Sequence, residues 1–159
     1  MRLLWKRTWS FLGFALVLGS TSACVETGPD DDVLIAAAKE VVATHEREVL
    51  AGNLDGVVAN HARDMVALVP GAPLVQGLDA FRGFYGPMLA GTEYTEFTHD
   101  YSGEAVVGSS VVLHGTATAT FLTPEGTPMS MENNFLMVLK PDEAGVLKFW
   151  RVAFAPASM

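Results

Sequence analysis

The sequence has one cysteine in 159 residues. No intramolecular disulfide can form in any compartment, so an apolar core must supply the stability. Basic residues are scarce: ten Lys and Arg stand against eighteen Asp and Glu, for a formal net charge of −8. Without clustered cations to neutralise phosphates, a nucleic-acid groove or a basic membrane-binding face is excluded. No spacing of Cys and His suggests a structural zinc site, so no metal or other cofactor is expected. Internal repeats and low-complexity segments are also missing.

What is present begins with an export signal. Met1–Arg7 carries Arg2, Lys6 and Arg7, Phe11–Leu18 is mostly apolar, and Ser20–Cys24 is a run of small residues. This order of basic, apolar and small residues describes a secretory signal. The apolar part falls short of the roughly 20 residues that a spanning helix needs. The cysteine at the cleavage point, Cys24, resembles the lipobox of bacterial lipoproteins, although Thr21 stands where such motifs usually carry leucine. That resemblance implies removal of residues 1–23, lipid on Cys24, and anchoring to a bacterial membrane in the cell envelope. Cleavage after Ala23 without lipid would instead release a soluble, secreted or periplasmic protein. Removing the leader takes away three basic residues, leaving 136 residues of net charge −11, enough for one domain.

Residues 24–32 read as a short acidic tether and residues 33–159 as the folded domain. From Val33 to Ala51, Leu34, Ala38, Val41, Val42, His45 and Val49 recur at spacings of three and four, the pattern of an amphipathic helix. Gly52 stops it and Asn53 caps the next helix, through Leu54, Val57, Val58 and His61. Met65–Val69 is a short strand. Asp79 is expected to cap a third helix carrying Phe81, Phe84, Tyr85 and Met88 on one face, which Pro87 should kink or shorten. Past Gly91 the period changes to two. Tyr94–Val107, Ser110–Leu122, Met129–Lys140 and Val146–Ala155 read as four long strands joined by turns. Helices followed by a meander predict an α+β domain: a cone of three N-terminal helices packed on a curved antiparallel sheet.

Four segments carry a family resemblance: Leu50–Asp55, Asp64–Gly71, Gln76–Phe81 and Lys148–Val152. With them the chain resembles the nuclear transport factor 2-like superfamily, in its SnoaL-like and ketosteroid-isomerase-like branch, over residues 33–155. The resemblance implies a conical domain around a mostly apolar pocket, commonly dimerising through its sheet. It says little about chemistry, because this fold hosts isomerases, cyclases, hydrolases and non-catalytic binders.

Three polar groups, His45, His61 and Tyr85, fall on the apolar stripes of the three helices. Buried there, each needs a hydrogen-bond partner, since an unpaired polar group costs about 1–3 kcal/mol. Alignment on Gly52 and Phe84-Tyr85 places them where ketosteroid isomerases carry three tyrosines, with His45 at the oxyanion donor. Such a cluster can bind a carbonyl or move a proton near neutral pH; it can equally be satisfied core packing. The family's general-base aspartate falls on Val69, which cannot take a proton, and its second oxyanion donor falls on or near Asn134. Isomerase activity is therefore disfavoured. Met88, Asn134, Trp150 and Phe154 complete the expected pocket lining, while Arg151 faces the outer side of the sheet. His99 and His114 read as exposed strand histidines, Asp100 and Glu104 as solvated surface, and Met129, Met131 and Met137 as packing or dimer surface.

These residues point to a lipid-anchored domain that binds a small hydrophobic molecule without inherited isomerase machinery. The alternative is an isomerase, cyclase or hydrolase acting on a small carbonyl, epoxide or polyketide-like substrate through His45, Tyr85 and His61. A sheet-mediated assembly module with a vestigial pocket is the third reading. A homodimer is expected because Phe135, Met137 and Leu139 alternate with Leu136 and Val138, giving a strand that is apolar on both faces.

Overall fold

The computed structural model describes residues 30–123 and 125–157. The leader, Cys24 and most of the acidic tether lie outside the described residues. Helix α1 spans Asp31–Leu50 and begins two residues before the predicted start, because the side chain of Asp30 accepts from the Asp32 amide and caps it. Its apolar stripe buries Ala38, Val42, His45 and Val49. Gly52, at φ +63°, turns the chain into the left-handed region that ends the helix. Asn53 then caps α2 (Leu54–Ala59) by accepting from the Gly56 amide at 3.2 Å.

Helix α2 stops earlier than predicted. Asn60 is its C-cap, with Nδ2 donating to the Gly56 carbonyl at 3.1 Å, so His61 opens strand β1 (His61–Leu68) rather than extending the helix. A two-residue strand unseen in the sequence, β2 (Val75–Gln76), pairs with β1. Helix α3 runs Leu78–Gly91, with Gly77 as N-cap and Asp79 only in its first turn. It continues through Pro87. The residue four earlier is the exposed Gly83, whose carbonyl can tilt towards water when the proline leaves it without a donor.

Four long strands follow: β3 (Glu93–Val107), β4 (Ser110–Leu122), β5 (Pro128–Pro141) and β6 (Leu147–Pro156). With β1 and β2 they form one six-stranded sheet in the order β2-β1-β6-β5-β4-β3. Every pairing is antiparallel except β1 with β6, which is parallel. The helices close over one face of the curved sheet, and the core lies between them, around Val42, Val57, Met65, Leu113, Leu139 and Phe149.

Two of the four register shifts in this sheet stand out. One, between Tyr101 and Gly103 on β3, brings the Asp100 carbonyl over Gly115, where a Cβ would sit 1.9 Å from that oxygen. Only glycine fits such an approach of backbone to backbone. The other lies where β6 passes β5, between the pairs Val138–Arg151 and Leu139–Phe149. It places two residues of β6 against one step of its partner and reverses the alternation. Leu147 and Phe149 are buried before it; Val152 is buried after it.

Candidate functional site

The narrow end of the cone holds a cavity of about 50 Å³ lined by His45, His61, Tyr85 and His99, with Phe81, Phe84, Phe97, Phe149 and Phe154 among its walls. A wider chamber of about 180 Å³ shares Val69, Phe84, Tyr85, Phe97 and Phe154 with it and adds Met88, Tyr94, Met131 and Asn133. The two adjoin in one mostly apolar cavity, with the three histidines in its smaller part, the tip, and the wider chamber as its mouth. Two larger clefts lie elsewhere. One, of about 620 Å³, is bordered mainly by the turns around Gly52, Gly91 and Gly126; the other, of about 440 Å³, lies beside Asp64, Lys140 and Lys148.

Each element delivers one group to the tip. Helix α1 brings His45, 7 % exposed, into edge contact with His61 (ring centroids 5.4 Å apart) and Phe149 (5.2 Å). The end of α2 fixes His61: its Nδ1 lies 2.9 Å from the Val57 carbonyl, one helical turn back. Because a carbonyl only accepts, that nitrogen carries the hydrogen. Phe81 lies against the same ring at 4.1 Å and stacks on Tyr85 at 5.1 Å. Strand β3 supplies His99, whose Nδ1 is 2.8 Å from Glu46 Oε1 on α1.

Burial sets the charge here. It drives His45 well below the usual imidazole range, helped by the neighbouring His61 and His99. His61 is pushed down to about 4, again chiefly by burial; the Val57 bond works against the shift, and the Lys148 charge adds to it. The Tyr85 hydroxyl is pushed up by the same desolvation, so it keeps its proton. His45 and His61 are therefore neutral at pH 7. Among the described residues, two buried nitrogens, His45 Nδ1 and His99 Nε2, find no hydrogen-bond partner. Among the described residues, no His, Cys, Asp or Glu side chains are grouped to hold a metal ion.

Several expected lining residues lie elsewhere. Trp150 is on the outer face, where Nε1 donates to Asp64 Oδ2 at 3.0 Å, because the β6 bulge puts it out of phase with Val152 and Phe154. Asn134 is exposed on the outer face as well. Phe135, Met137 and Leu139 point inward, so it is the odd-numbered neighbour Asn133 that reaches the mouth. Met88 and Phe154 line the mouth, and Val69 borders both chambers. His99 is the residue that sequence reasoning missed. It is 8 % exposed, and its signal was the shared parity with Phe97 and Tyr101, both partly buried. His114 and Asp100 are exposed, and Glu104 pairs with Lys39. Met129 and Met131 are largely exposed, whereas Met137 belongs to the core.

A family model described as the SnoaL-like domain matches residues 41–155. The chain belongs to the SnoaL-like family. No curated protein matches it in sequence. Solved structures similar to this SnoaL-like domain include a ketosteroid isomerase-like protein from Erwinia carotovora, at TM-score 0.68 and 14% identity, covering 78% of this chain and 96% of that one. A conserved protein from Planctomyces limnophilus aligns at 0.70 and 12%, covering 79% and 98%. A nuclear transport factor 2-like superfamily protein from Salmonella enterica aligns at 0.68 and 11%, covering 80% and 94%. At such identities the likeness concerns the fold. This SnoaL-like domain keeps the cone of that superfamily and fills its tip with histidines.

Proposed function

We propose that the domain binds a small, mostly apolar molecule in the cone, with the polar tip holding one end of it. The observation that carries this reading is the pair of unpartnered buried nitrogens, His45 Nδ1 and His99 Nε2, on residues that line a cavity whose other walls are mostly apolar. An unmade hydrogen bond at such a site costs about 1–3 kcal/mol, which a bound molecule or water offsets. Val69, at the position of the family's general base, is apolar and fits binding better than proton abstraction from carbon.

Catalysis on a small carbonyl, epoxide or polyketide-like substrate is the second reading, favoured by the Glu46–His99 pair, since a carboxylate that orients an imidazole is a common base arrangement. Fluorescence titration with an apolar probe tests the binding reading. His45→Ala and Tyr85→Phe should each weaken probe binding several-fold while retaining the fold. Unchanged binding in both would remove the assignment, and turnover abolished by His45→Ala alone would establish the second reading.

The leader and Cys24 support export and lipid anchoring of this domain. Cys24→Ser should then move the protein from the membrane fraction to the soluble fraction, and an unmodified mature N-terminus by intact mass would overturn the anchor.

A further inference from the structure

The tip of the cone is richer in free hydrogen-bond acceptors than in donors, and this narrows the ligand. The inference rests on the binding reading above and concerns which polar group the ligand brings. In a neutral imidazole one nitrogen donates and the other accepts. His61 spends its donor on the Val57 carbonyl. His99 donates from Nδ1 to Glu46, a carboxylate that can only accept. In the neutral form of either ring the nitrogen left over, Nε2, carries a lone pair. His99 borders the cavity whereas Glu46 does not. The His99 Nε2 is buried and unpartnered. Donors at the tip reduce to the single N–H of His45 and the Tyr85 hydroxyl, which keeps its proton.

We propose that the cavity selects ligands that present a hydroxyl donor, an alcohol or phenol on a small apolar ring, with His99 Nε2 as the acceptor and Glu46 as the residue that fixes its tautomer. A carbonyl oxygen, which only accepts, would leave the His99 lone pair unpaired in a dry site. The aromatic walls contribute area for the ring without discriminating between the two.

Three ring compounds of nearly equal size separate the possibilities: cyclohexanol, cyclohexanone and methylcyclohexane, titrated calorimetrically against the exported protein carrying Cys24→Ser, at about pH 8 where free histidine is neutral. The alcohol should bind on the order of fivefold to tenfold more tightly than the ketone, the fold-change of one net hydrogen bond. In protein labelled with ¹⁵N-histidine, the His99 Nε2 resonance should start as an unprotonated nitrogen and move upfield as cyclohexanol is added. His99→Phe should abolish the preference for the alcohol while ring binding persists. If that variant fails to fold, Glu46→Gln at the partly exposed neighbour should shrink the preference by loosening the tautomer. Equal or tighter binding of the ketone, a doubly protonated His99, or a preference that survives these substitutions would overturn the proposal while leaving the binding reading intact. Binding of none of the three compounds would remove both.

Discussion

Phe149 and Trp150 are neighbours in the chain, yet they belong to opposite kinds of cluster. Phe149, on the inner face, touches His45 and His61, both held neutral by burial. Trp150, on the outer face, lies between two cations: Lys140 Nζ sits 4.6 Å from its ring and the Arg151 guanidinium 3.9 Å, with Asp64 bonded to both Lys140 and the indole. The inner group is aromatic rings and neutral imidazoles out of water. The outer group is an aromatic ring and full charges kept in water. Residue types overlap, and burial decides whether the polar member ionises and how much its loss is felt.

The largest effect should come from emptying the inner cluster. Phe149→Ala should destabilise the domain by about 3–5 kcal/mol in urea unfolding, as deletion of a fully buried ring does. A loss under about 1 kcal/mol would mean the inner face is not close-packed, and the contrast with the outer cluster would collapse. Acid should act next. His61 in the folded state titrates near 4, below its unfolded value of 6.5, so the unfolded chain binds more protons between those limits. Stability is therefore full above about pH 6.5 and declines as pH falls towards 4, by on the order of 3 kcal/mol from this group. His45, lowered for the same reason, adds to the decline. His61→Leu should flatten the profile; an unchanged slope would show that the inner histidines do not govern it.

The outer cluster should respond least. Trp150→Ala should cost about 1–2 kcal/mol, from cation–π contacts near 1 kcal/mol and partial burial. Asp64→Asn should alter stability by under about 1 kcal/mol, because an exposed ion pair is screened. The Asp64 carboxyl is held below its usual value by its bonds to Lys140 and Trp150. Its contribution is thus present above the ordinary carboxylate range and fades as pH falls through the lowered value, below the histidine window. If Asp64→Asn and His61→Leu flattened the same stretch of the pH profile, the division into dry and wet clusters would be wrong.

The cone, its helices and the four long strands were legible because hydrophobic period is a local signal and these elements are long. Helix α2 was overextended because Asn60 ends it by bonding Gly56, and nothing in the apolar spacing marks that cap. Strand β2 has two residues, too few to carry any period. In the site, His45 and Tyr85 were visible as polar residues on apolar helix faces. His99 was obscured because its partner Glu46 is remote in sequence, and a strand histidine reads as surface until the opposing helix is placed. Asn134 lay on the wrong parity, which the buried run of Phe135, Met137 and Leu139 already implied. Trp150 was misplaced because alternation was carried unbroken through a bulge that only the pairing with β5 reveals.

That bulge also bears on how this strand tolerates change in length. In a regular strand an inserted residue would rotate everything after it to the wrong side. Here the extra residue is absorbed at Trp150–Arg151, and Val152 and Phe154 still line the cavity that Phe149 closes. Two adjacent side chains thereby share the outer face, which lets the Arg151 guanidinium lie over the ring of its own neighbour. Deleting either residue would restore simple alternation and keep the inner wall intact. Relatives can thus differ by one residue at this point of β6 while enclosing the same cavity.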